Sequence, residues 1–220
     1  MFLARLEQLL YLYALPYDER YPVVCFDERP CFLIGERVEG LAMKAGQAAR
    51  EHYSYTKNGS CALLMAIEPK TGQRLARVYG RRTKQEYAQF LKELAALYPN
   101  AEKIRLVQDN LNTHNLSSLY ETFPAVEAFA LAQRFAFYPT PKSGSWLNRI
   151  EIEFSALAKQ CLDRRLATQE KLNAEIQALV TKRQQQGILI HWQFSLESAR
   201  NKFSRHYHNI YAANPERSKI

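Results

Sequence analysis

The sequence has no Cys-x-x-Cys pair and no histidine at ligand spacing from a cysteine, so it gives no support to a structural zinc site. Its four cysteines, Cys25, Cys31, Cys61 and Cys161, are scattered. Cys25 and Cys61 fall in apolar runs and Cys161 on an apolar helical stripe, which reads as buried free thiol in a reducing, cytoplasmic setting. No apolar stretch approaches the ~20 residues of a membrane span. Arg5 and Glu7 interrupt the apolar N-terminus and no small-residue cleavage site follows, which argues against a signal peptide. Internal repeats and low-complexity segments are also missing. Acidic residues are in short supply: 22 Asp and Glu stand against 30 Lys and Arg, for a formal charge of +8. That balance favours a polyanionic partner, nucleic acid first.

What is there suffices for a core. With 220 residues, 47% of them hydrophobic, the chain allows one large domain or one domain with a helical extension. Phe2, Leu6, Leu9, Leu10 and Tyr13 recur at helical spacing and predict an opening amphipathic helix. Residues 23–27 read as a strand buried on both faces, because nothing in the apolar run alternates with a polar residue. Residues 28–58 carry no clear period; a short strand over 31–34 and otherwise polar loop is expected. An apolar run over 61–67, turn chemistry at Pro69-Lys70-Thr71-Gly72 and a strand through Leu75, Arg77 and Tyr79 predict a hairpin. Tyr87, Phe90, Leu91, Leu94 and Leu97 predict a helix over 84–98, closed by Pro99. A strand over 104–109, short helices near 115–122 and 124–133, and a strand over 135–138 follow. Helices are then expected over 148–162, 168–186 and 195–206. A meander followed by alternating strands and helices implies an α/β fold with one mixed sheet and helices on its faces.

Three carboxylates stand where elements meet polar loops. Asp27 ends the run Val23-Val24-Cys25-Phe26, Asp109 ends the strand 104–109, and Glu151 lies in the first turn of a helix. Carboxylates gathered from distant parts of a chain are expensive unless something cationic neutralises them. A pair of divalent ions about 4 Å apart does this and is a recurrent device for displacement at phosphorus. In a basic chain, that points to a nucleic-acid phosphodiester as substrate. Glu153 competes with Glu151: the two flank the apolar stripe on opposite sides, and periodicity does not choose between them.

The motifs Val24-Cys25-Phe26-Asp27-Glu28, Leu106-Val107-Gln108-Asp109-Asn110 with Thr113-His114, and Ser145-Trp146-Leu147-Asn148-Arg149-Ile150-Glu151 resemble the catalytic domain of DDE transposases. The bacterial insertion-sequence branch of the mariner superfamily is the nearest pattern. The likeness runs from about residue 5 to about residue 202 and takes in 53–59 and 161–165. It implies a ribonuclease H-like fold, here a mixed five-stranded sheet flanked by helices with a C-terminal helical extension. It further implies cleavage at transposon ends and joining of the freed 3′-hydroxyl to target DNA, with two Mg²⁺ ions that Mn²⁺ can replace. Carried over residue by residue, Asp27, Asp109 and Glu151 are the metal ligands, with Asp27 bridging and Glu153 the fallback. The 41 residues between Asp109 and Glu151 (151 − 109 − 1) exceed the usual mariner spacing and imply a longer segment around 115–140. The chain opens in what resembles a linker helix, so the resemblance divides it into 1–20, a catalytic domain over 21–165 and an extension over 166–220. It leaves the helix-turn-helix reader of transposon ends outside this sequence. Double-stranded DNA and a second copy of the chain are the implied partners, and the nucleoid the implied setting.

Around the triad, Asn110, His114 and Asn148 are candidates for support of the metal site. His114 could equally be a polar loop residue before an Asn115 cap, and Asn148 a helix cap. Arg74, Arg77, Arg81, Arg82 and Lys84 form one candidate DNA-facing cluster. Arg164 and Arg165, with Lys182 and Arg183, form another, since cations there would hold phosphates without reading sequence. Trp146 is expected in the core, and His206 with His208 is a weak metal pair.

Overall fold

The computed structural model describes residues 2–38, 41, 43–48, 50, 52–111 and 114–212, without the side chains of 210–212. Its strands are β1 (Val23–Glu36), β2 (Tyr55–Ile67), β3 (Arg74–Tyr79), β4 (Ile104–Gln108) and β5 (Phe135–Pro139). They form one mixed sheet in the order β3-β2-β1-β4-β5. β1 pairs antiparallel with β2 and parallel with β4, β2 antiparallel with β3, and β4 parallel with β5. The helices are α1 (Phe2–Ala14), α2 (Lys84–Ala96), α3 (Ser117–Thr122), α4 (Ala125–Gln133), α5 (Ile150–Gln160), α6 (Gln169–Gln185), α7 (Leu196–Lys202) and α8 (Ser204–Ala212). None of the described helices is long and apolar enough to cross a membrane.

Alternation along β1 sorts the core into two. Val24 and Phe26 face the cluster built with Tyr87, Phe90, Leu91 and Leu94 of α2 and with Leu119 and Ala128 of α3 and α4. Cys25 and Cys31 face the other, built with Leu6, Leu9 and Tyr13 of α1, Phe154 and Leu157 of α5, and Leu172 and Ile176 of α6. The sheet is thus covered on both faces, which is why the middle of β1 reads as an unbroken apolar run. All four cysteines are free and buried. α2 begins where a capping box predicts it: Thr83 accepts from the Gln85 backbone N–H and the Glu86 carboxylate accepts from the Thr83 N–H. Leu97, assigned to the α2 stripe from its spacing, instead caps the helix and is 38% exposed. The helix expected over 195–206 breaks at Phe203 into α7 and α8.

The main departure lies in 28–58. β1 does not stop at Asp27; it runs on to Glu36, and β2 begins at Tyr55 rather than near Cys61, paired continuously apart from one irregularity between Phe32 and Ile34. The charged stretch Asp27-Glu28-Arg29-Pro30 hides this strand from a propensity reading. Its tolerance is positional. β4 pairs with β1 only over Val23–Cys25, so beyond Phe26 one edge of β1 is open, and an edge accepts both charge and a proline without an N–H.

Candidate active site

The carboxylate pair follows from strand register. Cys25 lies opposite Val107 in the parallel β1–β4 ladder, so Asp27, still within β1 and paired with Met65 of β2, and Asp109, just past the end of β4, each stand two residues beyond that pair. Glu151 reaches the same corner from the first turn of α5. A 3₁₀ turn over Ser145–Leu147 leads into that helix, and Asn148 fixes where it starts. The buried Asn148 amide donates to the carbonyl of Phe26 at 2.8 Å, while its Oδ1 accepts from the Ile150 N–H at 3.4 Å. Asn148 thus ties the first N–H of α5, one residue past the Arg149 N-cap, to the residue before Asp27.

Asp27 bears the electrostatic load. Burial pushes its pKa up to about 7; the Glu28 backbone N–H draws it down, Asp109 and Glu151 push it further up, and His114 opposes them. Asp109 and Glu151 are thus each within Coulomb reach of Asp27. Among the described residues, however, no group of three or more His, Cys, Asp or Glu side chains is gathered closely enough to hold a metal ion. Asp109 has a partner of its own.

That partner is His114. Its Nδ1 lies 2.6 Å from Asp109 Oδ1 and its Nε2 lies 3.5 Å from Glu28 Oε2. The ring stacks on Tyr87 at 4.8 Å and meets Phe26 edge-on at 5.2 Å. Burial works against a charged imidazole, but Asp109 and Glu28 outweigh it and raise the pKa to about 9. Below the ring, Tyr87 donates to Gln108 Oε1, and Gln108 donates to the His114 carbonyl. His114 is accordingly a built part of the site and no mere loop residue. Thr113, beside it in the motif, lies outside the described residues. Glu28, on the opposite face of β1 from Asp27, went unnoticed as His114's second anchor. The doubled acid Asp27-Glu28 was its one sequence signal.

The structure separates Glu151 from Glu153. Glu151 is exposed. Glu153 is 1% exposed and accepts four hydrogen bonds, from Arg74 Nε and Nη2 at 3.0 and 2.9 Å and from Arg183 Nε and Nη2 at 3.1 and 2.9 Å. Its carboxyl pays the cost of burial, yet these two guanidinium groups hold its pKa below the ordinary range. Glu153 is therefore withdrawn as a fallback ligand.

The same cluster corrects the basic surfaces. Arg74 is buried, with further bonds to the carbonyls of Gly72 and Ile188, and Arg183 is buried beside it, so neither can face DNA. Arg77 pairs with Glu93, Arg82 with Glu28, Lys84 with Glu121 and Arg164 with Glu175, all at the surface or near it. Arg81 and Lys182 are exposed. Arg165 is half-buried and donates to the carbonyls of His52 and Ser54. Trp146 is 41% exposed against Phe194 rather than in the core.

A groove of about 440 Å³ opens beside Asp109, lined by Arg5, Asn110, Lys142 and Ser145 among others. Asn110 sits exposed on its rim and has no bond to the carboxylates. Arg5 and Lys142 are cations the sequence reading did not place here. Arg5 is the lone cation of α1 and donates to the Thr140 carbonyl at 3.4 Å.

Comparisons with known proteins bear on the fold and the family. The Mos1 strand transfer complex matches over 82% of this chain and 53% of its own, at 17% identity and a TM-score of 0.55. The Mos1 mariner paired end complex with Mn matches over 86% and 62%, at 14% identity and a TM-score of 0.50. The likeness is one of fold, ribonuclease H-like, and the chain spans less than two thirds of either relative. No curated protein sequence matches significantly. A family model described as DDE superfamily endonuclease matches residues 22–173, a stretch holding all three carboxylates and most of the sheet's covering, and the chain belongs to that family.

Proposed function

We propose that this chain is the catalytic part of a transposase, cutting DNA at phosphodiester bonds and joining a freed 3′-hydroxyl to target DNA. The observation that carries the reading is the placement of three carboxylates within the stretch that matches the DDE endonuclease family: Asp27 and Asp109 each two residues beyond the Cys25–Val107 pair of β1 and β4, and Glu151 in the first turn of α5. A fold gains nothing from such a cluster, and a cationic ligand relieves it. The donor set fits Mg²⁺ or Mn²⁺, since it offers carboxylate oxygen alone. Asp27, Asp109 and Glu151 would hold the ions. When bound, the ions neutralise the phosphate and make the attacking hydroxyl more acidic.

The chain's own residues do the rest. Asn148 holds the start of α5 against β1 and so keeps Glu151 at the carboxylate corner. His114 orients Asp109 through its Nδ1, 2.6 Å from Asp109 Oδ1. Arg5 and Lys142, in the groove beside Asp109, bear charge suited to backbone phosphates of the flanking strand. Double-stranded DNA is the partner in this reading, and two copies of the chain would each take one transposon end.

Nicking of supercoiled plasmid in Mg²⁺ and in Mn²⁺ tests the proposal, with Asp109→Asn as the control. Metal-dependent nicking that vanishes in Asp109→Asn is the expected result. Nicking of equal rate in both proteins would end the assignment of Asp109.

A further inference from the structure

Away from the carboxylates, Arg149 is buried without a counter-ion. The residue is 5% exposed, and its guanidinium carbon lies 3.8 Å from the centre of the Tyr13 ring and 5.2 Å from that of Trp192. Nε is sealed from solvent with no acceptor, and among the described residues the guanidinium has neither an ion pair nor a hydrogen bond. A guanidinium taken out of water with no anion is expensive, and ring faces return only part of the loss. The contrast with Arg74 and Arg183 is instructive, because those two share a carboxylate.

Arg149 lines an open cavity of about 410 Å³ with Tyr13, Tyr17, Lys70, His191 and Trp192. The walls come from α1 and its following turn, the β2–β3 connection, the start of α5 and the segment after α6. The Ile190 N–H donates to the Pro69 carbonyl and pins the last of these to the β2–β3 connection. Lys70 donates to the Leu15 carbonyl. Burial and then Arg149 hold its pKa below the usual lysine value, as expected of two cations facing one space. Tyr17, also in the lining, is 52% exposed.

We propose that this cavity binds the phosphate group of a nucleotide. The planar fork of Arg149 and the point charge of Lys70 match phosphate oxygens. Trp192 and Tyr17 offer ring surface to the sugar or base. The volume suits one nucleotide and is far from what a folded partner needs. The same chemistry could come from a free nucleotide or from a strand of DNA, and only the DNA source rests on the function proposed above.

The test uses the full chain carrying Trp146→Phe, which leaves Trp192 as the sole tryptophan of the two. With EDTA present, so that the carboxylate corner takes no part, Trp192 emission is titrated at fixed ionic strength. The probes are a deoxynucleoside 5′-monophosphate, the matching deoxynucleoside and a short DNA duplex. A saturable change with the monophosphate or the duplex, and none with the deoxynucleoside, is the expected outcome. Response to the duplex alone assigns the site to a strand, and response to the monophosphate alone to a free nucleotide. Arg149→Met should weaken binding at least about tenfold, as loss of a charged partner does, while melting no lower than its parent. Lys70→Ala should weaken binding several-fold, and it carries the test if Arg149→Met does not fold. An equal response to the deoxynucleoside, the lack of any saturable change, or unaltered affinity in Lys70→Ala would overturn the proposal. Nicking is not read here, so a chain that fails to cut plasmid while Trp192 responds would sink the catalytic reading and leave this one standing.

Discussion

Glu153→Gln should unfold this protein far more readily than Glu151→Gln, although the two glutamates are two residues apart on one helix. Glu153 is 1% exposed and takes four hydrogen bonds from two guanidinium groups, Arg74 of β3 and Arg183 of α6. The cluster carries one net positive charge. Replacing its carboxylate by an amide leaves two buried guanidinium groups with no counter-charge between them, and puts an NH2 donor where one of the accepting oxygens stood. Breaking a buried pair by removing one partner costs about 3–5 kcal/mol. A total stability of roughly 5–15 kcal/mol makes that a large share. In melting temperature it is a fall of roughly 6–20 °C for a chain of this size. Glu151 is exposed, and among the described residues none donates a hydrogen bond to its side chain, so its substitution should stay within about 0.5 kcal/mol. Arg183→Met should fall between the two, because Arg74 still neutralises Glu153. Urea unfolding followed by circular dichroism, in EDTA, reads all three. Equal midpoints for Glu153→Gln and Glu151→Gln would refute the reasoning and reopen the choice of ligand.

Asp27→Asn should stabilise the metal-free protein at alkaline pH. Asp27 titrates near 7 in the fold against about 3.9 in an unfolded chain, so parental stability falls as pH rises through that window. In EDTA the variant should exceed the parent at pH 8 by on the order of 2–4 kcal/mol, and the two should converge below about pH 4. Mg²⁺ should then stabilise the parent and leave the variant unmoved; identical melting curves across pH would contradict the burial argument. Asn148→Ala should slow plasmid nicking about 10–100-fold, as loss of a group orienting a ligand does. It should also cost about 1–3 kcal/mol in stability, from the unsatisfied Phe26 carbonyl. A stability loss with an unchanged nicking rate would reduce Asn148 to a structural tie.

The sequence by itself determined the elements whose residues carry their own signal. The stripe of α2 and its Thr83-x-x-Glu86 start are local, as is the apolar run of β1, so a single-chain reading finds them. The resemblance added order and spacing, and it named Asp27, Asp109 and Glu151 together. Local signal failed where a residue's environment comes from far along the chain. Glu28 to Pro30 look like loop, yet they form strand because β2 pairs with them and β4 does not reach them. Arg74 looks like a phosphate contact and Glu153 like a spare ligand, yet they lie 79 residues apart in sequence and bury each other. Helical periodicity could place both glutamates beside the apolar stripe, but only the arrival of β3 and α6 on one side of α5 made one an ion-pair anchor and left the other exposed. Burial and pairing are properties of the assembled fold, and in this protein they decide which of its charges are structural and which remain free for a ligand.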